Sequence, residues 1–402
     1  MERRDFLKNS GLALAGLSAG TFGPGASHAQ TPSGPAASST MPGPALRKRA
    51  PLAPIKATPD RIVSLDECTR PFRPQGPRIE AERVGKKTII HNYGHGGSGR
   101  SLSWGSGQIA ANLARATREP RIAVIGCGAI GLTAAVMAQR LGMKVRIYTK
   151  EYFPYVRSSR ATGVWSPSAR IVTLEHATPQ FRKRWEEMAR FSYYTYSKFL
   201  GMRGHPIEWT ESYKLSDTPF ATNASIYTHD PFPGEPAYPQ LEDEHTPDLM
   251  SGLETLGKDD HPFPVAHVRR GNMMMINIPA YARMLLEDFL AAGGDLVIRE
   301  FRDAREFQEI PERTIIHSTG YAARALVKDE SLVPVRGRTA RLIPQPEVDY
   351  GISYDSQNVY TVSRRDGIIV QSWEQGDYGS AIEAPDLALT KVTLAKLAKL
   401  FP

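Results

Sequence analysis

The stretch Arg121-Ile-Ala-Val-Ile-Gly126-Cys-Gly128-Ala129-Ile130-Gly131-Leu-Thr-Ala-Ala-Val-Met-Ala-Gln-Arg-Leu141 decides the fold. An apolar run predicts a buried parallel strand. It meets G-x-G-x-x-G and then an Ala-rich helical pattern, and Lys144–Tyr148 predicts a second strand. That order is the context a dinucleotide fingerprint requires. Gly126 permits the tight turn, Gly128 lets backbone approach a pyrophosphate, and Gly131 lets helix pack on strand. Ala129 and Ile130 open the helix, whose free N–H groups and positive dipole face the phosphates. The residue meeting the adenosine ribose stays open between Lys150 and Glu151. A lysine there also suits a 2′-phosphate, which keeps NADP as a minor reading. Downstream, Thr314-Ile-Ile-His-Ser-Thr319-Gly320 reads as an apolar strand ending in Thr-Gly, which favours FAD over NAD. The fold class expected is α/β, a Rossmann-like FAD-binding domain beside a β-rich substrate domain.

Working outward, the 402 residues suit two domains or one large α/β unit. Hydrophobic residues at 41% and charged residues at 23% exclude a disordered chain and a polytopic membrane protein. The net charge is +8, and residues 1–60 carry half of it, with seven Lys or Arg against three Asp or Glu. The body is therefore only mildly basic, and no nucleic-acid partner is expected. Cys68 and Cys127 form no CxxC pair, and the histidines have no metal-triad spacing. No metal site and no nucleophile elbow is read.

Residues 1–29 read as an export signal. Arg3-Arg4-Asp5-Phe6-Leu7-Lys8 looks like a twin-arginine motif, a mildly apolar run follows, and Ser27-His28-Ala29 supplies small residues at cleavage spacing. The expected location is periplasmic or secreted, reached through the twin-arginine translocase. Residues 30–60 hold seven prolines and read as a flexible linker, with folded structure starting near Arg61. The expected division is then 61–168 with 275–340 as FAD-binding domain, 169–274 with 341–385 as substrate domain, and 386–402 as a C-terminal helix.

The string His91-Asn-Tyr93-Gly-His95-Gly96-Gly97-Ser98-Gly99 resembles the signature loop of the D-amino-acid oxidase family. Arg70-Pro-Phe-Arg73-Pro-Gln-Gly-Pro-Arg78 resembles that family's Arg-Pro segment, and Ser158-Ser-Arg-Ala-Thr162-Gly163-Val164-Trp165 its second flavin-contact segment. Thr319-Gly320 and Arg336-Gly-Arg338 fit later turns, whereas residues 170–270 match poorly. In that family the fingerprint lies near the N-terminus, and the Arg-Pro and HNYGHGG segments near the C-terminus. Here both segments precede the fingerprint, which looks like a circular permutation opened between the helix-like Leu387–Leu400 and the strand-like Arg61–Leu65. A domain-swapped homodimer is the competing explanation.

The resemblance implies a flavoenzyme that oxidatively deaminates a D-amino acid to a 2-oxo acid, ammonia and hydrogen peroxide, with oxygen as second substrate. Arg70 is then the carboxylate anchor, because a guanidinium fork binds a carboxylate bidentately. Tyr360 donates to the same carboxylate, and the Gly97 carbonyl receives the amine. Gly96, Ser98 and Gly99 bring backbone to the flavin ring, and Ser101 approaches its pyrimidine edge. Arg157 and Ser158 face the pyrophosphate, and Thr162, Gly163 and Val164 face the flavin. Arg73 and Arg78 serve structural or flavin-proximal pairing. A second family tyrosine is replaced by Ser356, with Tyr354 nearby. That departure keeps an alternative open: a periplasmic FAD-dependent dehydrogenase of another amine or hydroxy acid with a non-oxygen acceptor.

Overall fold

The computed structural model describes residues 51–220 and 232–401. Residues 1–50, on which the expected export signal and most of the expected linker fall, lie outside the described residues. Among the described residues, fourteen strands form two sheets. The first contains β2 (Arg78–Val84), β3 (Lys87–Tyr93), β4 (Arg121–Ile125), β5 (Lys144–Thr149), β9 (Asp295–Ile298) and β10 (Thr314–His317), in the order β2-β3-β10-β4-β5-β9. All neighbours are parallel except β2, which pairs antiparallel with β3 at the edge.

The apolar runs become buried parallel strands because both faces of this sheet are covered. Ile122 and Val124 point into one core with α1 (Ser103–Ala116) and α2 (Ala129–Arg140), while Ala123 and Ile125 point into another with Phe301 and Phe307. Small residues let the two helices approach: a Cβ at Gly107 would sit 3.2 Å from the Ala134 nitrogen. α3 (Pro179–Ser197) is N-capped by the Thr178 hydroxyl and lays Trp185 and Met188 into the same core; α4 (Ile278–Ala291) adds Leu285 and Phe289.

The second sheet contains β1 (Ile62–Phe72), β6 (Ile207–Ser216), β7 (Glu254–Leu256), β8 (His267–Ile276), β11 (Val333–Leu342), β12 (Tyr350–Tyr354), β13 (Val359–Arg364) and β14 (Gly367–Ser372). Their order is β1-β11-β14-β13-β12-β6-β8-β7. Only β12 and β6 pair in parallel. The mixed α/β class with a Rossmann-like sheet stands as expected.

Three boundaries move. β1 and β11, placed by sequence in the FAD-binding part, belong to the eight-stranded sheet, where Arg70 pairs with Val335. Their hydrogen bonds run to strands far away in sequence, which no local pattern shows. The described residues also begin ahead of Arg61, at Pro51, and they are already packed there. Ile55 and Ala57 are buried beside Leu394, Leu397 and Leu400 of α5 (Leu387–Ala398) and the turn after it. Tyr350 donates to the Ala53 carbonyl at 2.6 Å and the Lys56 amide to Gln345 at 2.8 Å, so proline content alone did not keep this segment free. The first and last described residues thus share one hydrophobic cluster.

Candidate active site

The turn after β4 builds the first part of the site. Gly126 has φ +103°, which a side chain rarely tolerates. A Cβ on Gly131 would lie 2.0 Å from the Gly126 carbonyl oxygen, so this glycine brings helix against turn and does not itself line the cavity. Gly126, Gly128, Ala129 and Ile130 do line a cavity of about 350 Å³. It continues past Arg157, Ser158 and Thr162 to Gly96, Gly97 and Gly99. Ser158 accepts the Ala129 N–H at 3.0 Å, standing at the α2 N-terminus where an anion is favoured. Lys150 and Glu151 both line this cavity, and Lys150 pairs with Glu300 at 3.1 Å.

The residues present fit a dinucleotide flavin. The turn leaves backbone uncovered at Gly128. Asn92, His95 and Arg100 also line the cavity, and both side-chain polar atoms of Asn92, both ring nitrogens of His95 and Nε of Arg100 are buried without a partner among the described residues. Burial holds the His95 imidazole down to about 3, so it meets a ligand as a neutral ring. Several expected contacts are instead supports. Ser98 donates to the Ala169 carbonyl at 3.0 Å, and the Ser101 hydroxyl accepts the Ser166 N–H at 2.8 Å. Gly163 makes room for the Ile276 carbonyl, 2.5 Å from where its Cβ would be. These three fasten the flavin-side loops to residues 166–169 and to β8, and do not line the cavity. Arg157 does line it, but its guanidinium pairs with Glu383 at 2.6 Å.

A second cavity of about 150 Å³ adjoins the first. Arg70, Gly97 and Thr162, from three separate segments, line both. Arg70 donates Nη1 to the Arg336 carbonyl at 2.7 Å and has no carboxylate partner among the described residues. Burial destabilises its charge and lowers its pKa from the usual arginine value. A desolvated cation held this way favours an incoming anion. Its position depends on Gly337: a Cβ there would lie 2.9 Å from the Arg70 Cζ.

Across the sheet, Tyr360 stands opposite Ser353 on one side and Gln371 on the other, and all three line the second cavity. Burial raises the Tyr360 hydroxyl pKa, as do the nearby carboxylates Asp355 and Glu242, so it stays a donor. Trp373, two residues beyond Gln371, lies on the same side, with its ring 5.8 Å from that of Tyr360. The strand alternation around Tyr360 is the signal that would have found Gln371 and Trp373.

Arg170 and Tyr238 gave no such signal. Arg170 pairs with Glu235 at 3.0 Å and lies over the Tyr238 ring, both within residues that matched no motif. Tyr354 and Ser356 both donate to Asp217, at 2.6 and 3.0 Å, and leave the cavity to others. Arg73 pairs with Asp329, and Arg78 with Glu80 and Glu82, as structural residues. No cluster of metal-ligating side chains occurs among the described residues.

The family model described as FAD dependent oxidoreductase, DAO, matches residues 121–402. A D-amino-acid oxidase of Rubrobacter xylanophilus is 25% identical over 287 residues, covering 70% of this chain and 77% of the relative. One of Schizosaccharomyces pombe is 25% identical over 295 residues, covering 70% and 78%. A D-aspartate oxidase of Talaromyces thermophilus is 47% identical over 76 residues, covering 17% of this chain and 20% of the relative. Among solved structures, glycine oxidase from Geobacillus kaustophilus superposes with a TM-score of 0.49 at 15% identity, covering 70% of this chain and 78% of that one. The match to the family model spans well over half of the sequence and begins at the fingerprint strand: the chain belongs to the DAO family of FAD-dependent oxidoreductases.

Proposed function

We propose that this flavoenzyme is a D-amino-acid oxidase. In the proposed reaction an amino acid loses two electrons and two protons from its Cα–N unit, and water converts the imine to a 2-oxo acid and ammonia. Oxygen takes the electrons and protons as hydrogen peroxide. Bound FAD supplies the two-electron acceptor between them. The carrying observation is that Arg70 and Gly97 line both cavities, so a substrate held by them lies where the cofactor cavity opens. Arg70 binds the carboxylate, Tyr360 donates to it, and the Gly97 carbonyl receives an amine N–H. The protein's part is orientation and charge complementarity, with no separate acid or base required.

The chain order supports a circular permutation over a segment-swapped homodimer. Gly94–Gly97 with Gly99, and Gly126–Ile130, line one cavity within one chain, and the first and last described residues pack into one cluster. Such adjacency is what relinking the ends requires. A reordered chain running 121–402 and then 51–120 is expected to fold and bind FAD. Residues 1–29 remain proposed as a twin-arginine signal to the periplasm, tested by loss of export in an Arg3→Lys, Arg4→Lys variant.

The deciding experiment is an anaerobic screen of D- and L-amino acids that follows flavin absorbance, then aerobic turnover with a peroxide assay. Bleaching by D-amino acids with peroxide release is expected. Reduction by L-amino acids alone, or by none, rejects the assignment. Reduction without peroxide moves it to a dehydrogenase.

A further inference from the structure

His91 and His317 are buried on neighbouring strands β3 and β10, in register, with their Nδ1 atoms 3.2 Å apart. At the outer end, His91 Nε2 lies 3.0 Å from Glu82 Oε2 on β2. Glu82 is half-exposed and also accepts from Arg78 Nη2 at 3.0 Å. At the inner end, His317 Nε2 lies 2.7 Å from the Thr319 hydroxyl, and Thr319 lines the cofactor cavity. Four groups thus run in series from the surface to the cavity.

Such a series admits one proton order. Glu82, paired with Arg78, is a carboxylate and only accepts, so His91 carries its proton on Nε2. Burial and the nearby Arg78 push the His91 pKa below its usual value, so the ring is neutral and Nδ1 accepts. His317 must then donate from Nδ1 and accept at Nε2. Burial, with His91 and Arg78 beside it, holds His317 down to about 3, so it carries no second ring proton. The Thr319 hydroxyl must therefore donate to His317. It turns only lone pairs toward the cavity.

We propose that Glu82, His91 and His317 are positioning residues that fix Thr319 as a hydrogen-bond acceptor for a sugar hydroxyl of FAD. The proposal rests on the FAD assignment. A phosphate oxygen would face lone pairs at Thr319, whereas a hydroxyl is matched to them. Thr319 is also placed for such a group. Its Cα would lie 3.5 Å from a Cβ on Gly126, at the turn that cradles phosphate, and the groups of FAD flanking its pyrophosphate are hydroxyl-bearing sugars.

The test measures FAD affinity of the apoprotein by flavin fluorescence, in a double-mutant design. Thr319→Val, His317→Phe and Glu82→Leu are each expected to weaken FAD about three- to tenfold, the loss of one neutral hydrogen bond. In the Thr319→Val background the other two should add less than about twofold, because they act through Thr319. Glu82→Gln, whose amide oxygen still accepts, should keep parental affinity. Ring 15N shifts should report Nε2–H in His91 and Nδ1–H in His317. If His317→Phe does not fold, the half-exposed Glu82 variants and the shifts still decide. Losses that persist without the Thr319 hydroxyl, or both rings in the same tautomer, overturn the proposal. A parent protein that takes up no FAD overturns the cofactor assignment and this proposal with it. FAD bound with additive losses overturns this proposal alone.

Discussion

The two halves of the site are built differently. The cofactor side is made mostly of backbone from contiguous loops, Gly94–Gly99 and Gly126–Gly131, each held where a strand of the six-stranded sheet ends. The proposed substrate side is made of side chains gathered from β1, β12, β13, β14 and residues 164–170 and 238–240. A loop that cradles phosphates needs its glycines at fixed spacing, so its chemistry is written in consecutive residues. A pocket assembled across strands needs only that each strand place one residue at the right register. The first kind of site is therefore legible locally and the second only in part. The two kinds also fail differently: the first through the fold, the second through binding alone.

The largest expected effect tests the backbone side. Gly131→Val forces a side chain into the Gly126 carbonyl, 2.0 Å from the Cβ position, and should cost about 4 kcal/mol or more. Thermal unfolding and flavin-to-protein ratio should show a destabilised protein without FAD. A normal flavin ratio would break the contrast between the two sides. Arg70→Leu should do the reverse, keeping FAD while losing substrate. Removing two charged hydrogen bonds costs about 3–6 kcal/mol, or roughly two to four powers of ten in kcat/KM. Arg70→Lys should recover only part, since an ammonium lacks the fork. Flavin reduction by substrate at parental rate in Arg70→Leu would place the anchor elsewhere.

Gly337→Ala sharpens the comparison, because it touches Arg70 without removing it. The methyl must displace a guanidinium 2.9 Å away, a flexible group, so stability should hardly change. Misplacing the anchor should lower kcat/KM by about ten- to a hundredfold. A large drop in melting temperature instead would make Gly337 a folding residue.

Glu242 lies fully buried beneath Ser168, which donates to it from Oγ at 2.7 Å and from N at 3.0 Å. Burial raises its carboxyl from 4.5 to about 7. The folded state then holds this proton more tightly than the unfolded state. Its contribution is full below about pH 4.5 and is lost as pH rises through 7. Glu242→Gln should flatten that fall by about 1–3 kcal/mol, measured by denaturant unfolding between pH 5 and pH 8. An unchanged slope would assign the pH dependence to other groups. The smallest effect is Tyr360→Phe, which removes one neutral donor and should cost about 0.5–1.5 kcal/mol in kcat/KM at full flavin content. A loss as large as that of Arg70→Leu would give Tyr360 more than an orienting part.

By itself the sequence determined the nucleotide-binding half. Strand, glycine turn and helix from Arg121 to Leu141 lie where the pattern placed them, because parallel-strand burial and phosphate-cradling turns are local demands. Arg70 and Gly97 were read from the strings around them and Tyr360 from the family resemblance, and the structure brings all three to one pocket. Tertiary structure alone decided the rest. It assigned β1 and β11 to the eight-stranded sheet, because hydrogen-bond partners 265 residues apart leave no trace in either strand, as between Arg70 and Val335. It folded Pro51–Asp60 against α5, because burial of Ile55 and Ala57 depends on a surface offered by the far end of the chain. It set Ser98, Ser101 and Gly163 as supports beside the first cavity, and it brought Arg170 and Tyr238 to the second. Spacing along a chain specifies which residues leave a turn together; register between distant strands specifies which ones meet.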